Sequence, residues 1–169
     1  NKEKYKDAYF NKFPGVWAHG DYACRTKEDG LVIFGRSDAT LNSGGVRIGT
    51  AEIYRQVEKI DEILEAVVVE IKLKNESDMV LFVVLKEGFR LDQKLIDHIK
   101  IGLKKNASPR HVPTEIISVN DIPRTISGKI AELTVKAAVE GTEIKNREAL
   151  ANPESVDLFV NIFDHEDGD

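Results

Sequence analysis

The chain has 169 residues, 41% of them apolar and 31% charged, which is the composition of a globular protein with enough apolar material for a core. Its net charge of −5 argues against non-specific nucleic-acid binding as the main task. A single cysteine, Cys24, excludes an internal disulfide framework and fits a reducing compartment such as the cytosol, and the longest apolar runs, such as Val80 to Leu85, are far below a membrane span.

The chain starts Asn-Lys-Glu-Lys-Tyr without an initiator methionine, and reads as a cut from something longer or as a processed or incomplete chain. The length fits one domain, or a small domain plus a fragment of another. Residues 1–30 are aromatic and irregular, and Pro14, Gly15 and Gly20 mark loop or short strands there. Leu31 to Phe34, after the Glu28-Asp29-Gly30 turn, reads as a hairpin strand. Arg36 to Gly49 is rich in Ser, Asn, Asp and Gly and reads as a loop or linker between units. Thr50 caps a predicted helix over about 51–64, with the apolar stripe Ile53, Val57, Ile60 and Leu64. Ala66 to Leu73 and Met79 to Lys86 are β-rich runs separated by Lys74 to Asp78, which predicts an antiparallel hairpin. A helix over about 92–106 carries Leu95, Ile96, Ile99 and Leu103 and stops before Ser108-Pro109, because proline disfavours helical geometry in the residue before it. Glu115 to Val119 reads as a strand. After the loop Pro123 to Lys129 comes a predicted helix over about 130–140, terminated by Gly141. The tail from Thr142 is polar, with a short helix at Pro153 to Phe163 and an acidic, disordered end at Asp164 to Asp169. The sum is an α+β fold, a small antiparallel or mixed sheet flanked by helices and preceded by a β-rich remnant.

Three segments carry residues suited to nucleotide chemistry. In Trp17-Ala18-His19-Gly20-Asp21, the carboxylate after a glycine turn can accept hydrogen bonds from vicinal ribose hydroxyls, or else satisfy local backbone donors. In Gly35 to Arg47, Arg36 and Arg47 offer planar forks of donors for sugar or phosphate oxygens, and Gly44 and Gly45 permit close backbone approach; the alternative is a loop with solvated arginines. In Pro123-Arg124-Thr125-Ile126-Ser127-Gly128-Lys129, one ammonium stands on a mobile loop at a helix start, against the helix dipole. A phosphate-binding P-loop is rejected, because the glycine spacing is wrong and Ile130 follows Lys129 where a hydroxyl ligand for magnesium is required. The four histidines, His19, His98, His111 and His165, have no metal-ligand spacing.

In this order the three segments resemble the adenylate-forming acyl-CoA synthetase superfamily. Its markers are a Gly-Asp that holds the ribose, a Gly-Arg-x-Asp hinge followed by Gly-x-Arg and Glu-Ile, and a late Pro-x-Thr-x-x-Gly-Lys. They stand here as Gly20-Asp21, Gly35-Arg36-Ser37-Asp38 with Gly45-Val46-Arg47 and Glu52-Ile53, and Pro123 to Lys129. Within the superfamily the chain looks most like the acetoacetate–CoA ligases, on Phe13 to Tyr22, Arg47 to Tyr54, Pro109-Arg110-His111-Val112-Pro113 and Asn152-Pro153-Glu154-Ser155. His19 is a departure, since the family often has Thr before Gly-Asp.

The resemblance implies that residues 1–37 end a large N-terminal adenylation domain, 38–141 form the mobile C-terminal domain, and 142–169 are a C-terminal extension. It implies ATP, CoA and a short-chain keto acid as substrates, Mg2+ with ligands outside this chain, the chain's own N-terminal domain as partner, and a cytosolic location. Lys129 is then the adenylation lysine, Asp21 and Arg36 hold the ribose, Arg47 meets phosphate or loop partners, and Asp38 is the hinge. Gly44 and Gly45 face the CoA channel, with Lys100 and Arg110 as candidates for the CoA phosphates on charge and position alone. Two other readings stay open: a truncated, non-catalytic paralogue acting as a binding module, and a ligase for acetate or another short acid.

Overall fold

The structure is a computed structural model that describes residues 2–43, 45–73, 76–144, 146–160 and 162–163. Gly44, the hairpin residues Lys74 and Asn75, and the acidic end 164–169 lie outside the described residues.

Residues 2–10 depart from the irregular reading of the first thirty residues. They form helix α1 (Lys2–Phe10), followed by a hairpin of β1 (Asp21–Arg25) and β2 (Leu31–Arg36). Two of the aromatic residues are spaced for a helix: Tyr5 and Tyr9 lie one turn apart with ring centroids 5.3 Å from each other. Trp17 then stacks on Tyr9 at 4.3 Å and 18°.

The expected linker Arg36 to Gly49 instead contains a second hairpin, β3 (Leu41–Ser43) and β4 (Val46–Ile48), with Leu41 and Ile48 both 2% exposed. Burial of those two side chains outweighs the low strand propensity of the Ser/Asn/Gly residues around them. Helix α2 (Thr50–Val57) is shorter than expected. Thr50 is its first residue and buried, while Gly49 occupies the cap position. Ile60 still packs into the core, but Ile63 pairs with Leu85 as the chain enters β5 (Ile63–Leu73), leaving Leu64 60% exposed. Strand pairing thus captures the end of the helical stripe.

Strand β5 pairs antiparallel with β6 (Glu76–Leu85), as expected, and β6 pairs parallel with β7 (Glu115–Ser118), giving the order β5-β6-β7. Between β6 and β7 lie α3 (Gln93–Asn106), capped by Asp92 accepting from the Leu95 amide at 2.9 Å, and a 3₁₀ turn at Pro109–His111. Helix α4 (Glu132–Val139) and 3₁₀ turns at Arg147–Ala149 and Pro153–Leu158 follow among the described residues.

The period-two alternation of β5 and β6 divides the core in two. Val67, Val69, Val80 and Phe82 face α4 and the tail, where Val135, Val156 and Phe159 are each 0% exposed. Val68, Leu81 and Val83 face Ile53 and Val57 of α2 and Leu95, Ile99 and Leu103 of α3. The tail is therefore part of the core: the Phe159 ring meets Phe82 edge-on at 5.0 Å.

Candidate functional site

A cleft of about 650 Å³ opens between the N-terminal segment and the lysine loop, and Asp21, Arg36 and Lys129 all line it, together with Tyr9, Trp17 and His19. Strand pairing creates half of this arrangement. Asp21 begins β1, Arg36 ends β2, and the two are register partners, so their side chains stand next to each other with Arg36 Nη1 3.9 Å from Asp21 Oδ1. Arg36 is gripped further by Asp38, whose Oδ1 and Oδ2 each lie 3.3 Å from a guanidinium nitrogen, and Nη1 donates to the His19 carbonyl at 3.2 Å. The hydrogen bond with Asp38, against some desolvation, raises the Arg36 pKa, and the charges of Asp38 and Asp21 add to the effect. Gly20 has φ +88°, and a Cβ there would sit 3.0 Å from Arg36 Nη2, so glycine serves both the turn and the close approach. His19 places Nε2 3.4 Å from Asp21 Oδ2.

The lysine loop supplies the opposite wall. Contrary to expectation, Lys129 does not open a helix: α4 begins at Glu132, after Arg124 and Ile130 form an antiparallel bridge and the Ala131 amide donates to the Pro123 carbonyl at 2.9 Å. The dipole argument for Lys129 therefore does not apply. Thr125 closes the turn, donating its amide to the Lys129 carbonyl at 2.8 Å and accepting the Lys129 amide at Oγ1 at 3.1 Å. Gly128 takes the left-handed conformation this turn needs, with φ +80°. These bonds use the backbone of Lys129 and leave its exposed side chain to the cleft.

Residues 52–129 match the family described as AMP-binding enzyme C-terminal domain. Acetoacetyl-coenzyme A synthetase of Rhizobium meliloti (strain 1021) is 55% identical over 159 residues, 94% of this chain and 24% of that protein. Acetoacetyl-CoA synthetase of Rattus norvegicus is 44% identical over 96% of this chain and 24% of its own length. The solved acetoacetyl-CoA synthetase from Streptomyces lividans superposes with a TM-score of 0.84 at 42% identity, covering 93% of this chain and 24% of that one. Over residues 52–129 the chain is similar to the C-terminal domain of AMP-binding enzymes. It spans about a quarter of the length of the relatives it matches, 24% for both synthetases named first.

Not every predicted residue lines the cleft. Arg47 is exposed on β4 opposite Asn42, and Gly45 sits in the turn of the same hairpin with φ +79°. Lys100 on α3 donates to the Thr114 carbonyl at 3.4 Å, and Arg110 lies on the neighbouring 3₁₀ turn. That turn is pinned by the buried His111, whose Nδ1 is 2.8 Å from Ser108 Oγ and whose Nε2 is 3.4 Å from Glu52 Oε2. Asp38 holds Arg36 at the junction between the N-terminal hairpin and β3.

Sequence reasoning missed a polar link at the heart of the domain. The Tyr54 hydroxyl, on α2, donates to Glu132 Oε1 on α4 at 2.5 Å and accepts the Val68 amide at 3.2 Å. Burial raises the Glu132 carboxyl pKa, with the Asp38 charge adding, while hydrogen bonds from Tyr54 and Thr50 oppose the shift. The only signal in the sequence was an acid in the first turn of a predicted helix. Among the described residues no group of three or more His, Cys, Asp and Glu could hold a metal ion, and no helix is long and apolar enough to cross a membrane.

Proposed function

We propose that this chain is the C-terminal part of an acid–thiol ligase that activates acetoacetate with ATP and transfers the acyl group to CoA. The observation that carries the proposal is the convergence of Asp21, Arg36 and Lys129 on one cleft from segments about a hundred residues apart. The relatives named above supply the substrate, acetoacetate.

In the first step a carboxylate oxygen of the acid attacks the α-phosphorus of ATP. The bond to pyrophosphate breaks, leaving the acyl-adenylate. Negative charge gathers on the phosphoryl oxygens, and the Lys129 ammonium stabilises it; such a group commonly contributes on the order of a hundredfold or more in rate. Asp21 accepts hydrogen bonds from the ribose hydroxyls, and Arg36, oriented by Asp38, donates to the sugar. In the second step the CoA sulfur attacks the acyl carbon, the bond to AMP breaks, and acetoacetyl-CoA forms. For this step the domain that starts at Asp38, with the tail packed in its core, rotates about Asp38, withdrawing Lys129 and bringing Gly44 and Gly45 toward the pantetheine arm; Arg47 meets phosphate or loop partners, and Lys100 and Arg110 are candidates for the CoA phosphates. Mg2+ would neutralise the ATP phosphates, held by ligands outside this chain. The setting proposed for the enzyme is the cytosol.

The test is complementation. The 169-residue chain alone is expected to form no acyl-CoA, whereas mixed with a matching large domain it releases AMP, fastest with acetoacetate among a panel of short acids. Turnover by the isolated chain, or a preference for acetate, sinks this reading.

A further inference from the structure

The Asn152 side chain is part-buried and bonded at both ends. Its Oδ1 accepts the Arg124 amide at 2.8 Å, and its Nδ2 donates to Asp121 Oδ2 at 2.7 Å and to the Ile122 carbonyl at 2.9 Å. The adjoining backbone extends the contact: the Ala151 amide donates to the Arg124 carbonyl at 2.8 Å, and Leu150 bridges Thr125 antiparallel. The segment entering the lysine loop therefore has the tail on one edge and Lys129–Ile130 on the other. The tail is itself firmly seated. Ser155 Oγ donates to the Asn152 carbonyl at 2.7 Å, Val156 and Phe159 are fully buried, and Arg147 donates to the Pro153 carbonyl at 3.0 Å and to Asp157 at 2.8 Å.

We infer that the tail is a brace for the lysine loop and that Asn152 is a positioning residue, setting where the Lys129 ammonium stands in the cleft. Only an amide side chain meets the site's needs, one acceptor facing a backbone N–H and donors facing a carboxylate and a carbonyl. Aspartate would keep the acceptor but set a second carboxylate against Asp121. The path from Asn152 to Lys129 is short: Asn152 holds Arg124, the tail backbone holds Thr125, and Thr125 bonds both backbone groups of Lys129. The catalytic consequence rests on the adenylation role proposed for Lys129; the brace itself does not.

Amide hydrogen exchange on the 169-residue chain tests the brace. In Asn152→Ala the amides of Arg124, Thr125 and Lys129 are expected to exchange about tenfold faster than in the parent while the β5–β6 amides keep their rates. Val80→Ala, which opens a cavity in the same core on the central strand, outside the tail and the loop, is the control for plain loss of stability and speeds loop and strands together. Should Asn152→Ala fail to fold, Asn152→Asp gives the same readout, with protection partly restored as the pH falls into the carboxylate range. Loop amides that change no more than the strands overturn the brace. In the chain joined to a large domain, Asn152→Ala lowers adenylation about tenfold and leaves thioester formation from supplied acyl-adenylate intact. Equal loss of both half-reactions overturns the positioning role. If Lys129→Ala leaves adenylation untouched, the reading of the cleft fails while the exchange result stands.

Discussion

The phenol of Tyr54 and the carboxyl of Glu132 share a 2.5 Å hydrogen bond that joins α2 to α4 around the edge of β5. The same oxygen of Tyr54 satisfies the Val68 amide on that edge, so one side chain serves three elements.

Removing that hydroxyl leaves a part-buried carboxylate and a strand amide without their partner. Tyr54→Phe is expected to destabilise the domain by about 1–3 kcal/mol, read from urea denaturation. Glu132 behaves oppositely with pH. Its folded pKa is raised, chiefly by burial, so the folded state holds the proton more tightly than the unfolded chain. The linked stability is present below the ordinary carboxylate range and is lost as pH rises through the raised value. Glu132→Gln, which still accepts from Tyr54, should flatten that decline: the variant gains on the parent between acid and neutral pH. An identical pH slope in both proteins refutes the assignment.

Lys129→Ala should separate chemistry from folding. The side chain is exposed and its backbone makes the bonds, so the melting curve of the domain should move by less than about 0.5 kcal/mol. In an enzyme completed with a large domain, adenylation should fall on the order of a hundredfold or more, with thioester formation from supplied acyl-adenylate retained. Quenched-flow assays of the two half-reactions give the ratio.

Phe159→Ala should cost about 3–5 kcal/mol, the usual range for deleting a buried ring. The residue is 0% exposed and meets Phe82 edge-on at 5.0 Å. A loss below about 1 kcal/mol would mean that the tail is a peripheral strap with no part in the core.

Gly49→Ala tests the junction between β2 and α2. An added Cβ would lie 2.1 Å from the Phe34 carbonyl oxygen, a backbone atom that cannot swing aside. Loss of about 1–3 kcal/mol is expected, measured by thermal unfolding.

Much of the sheet was legible because its signals are local: the β-rich apolar runs Ala66 to Leu73 and Met79 to Lys86, and the stop of α3 before Ser108-Pro109. The cleft was legible only as motif fragments, Asp21, Arg36 and Lys129, since nothing along the chain states that they meet. What escaped were features whose cause is tertiary. The β3–β4 hairpin forms among poor strand residues because Leu41 and Ile48 are buried by the rest of the domain. The end of α2 yields Ile63 and Leu64 to a strand whose partner lies some twenty residues on. Tyr54 and Glu132 are 78 positions apart, and no pattern links them before the fold does.

Arg124 sits at the crossing of these relations. Its guanidinium pairs with Glu65 on β5 and donates to the Gly128 carbonyl at 3.3 Å, while its backbone is bonded by Asn152 and Ala151. The lysine loop is thus welded to the central sheet at its base and is not hung from it as a tether. Fixed in this way, the backbone of Lys129 travels with the sheet, and only its exposed side chain has reach of its own. Small rotations of the domain would then act as a switch with two settings, and stiffness at Arg124 would decide how sharply the two are separated.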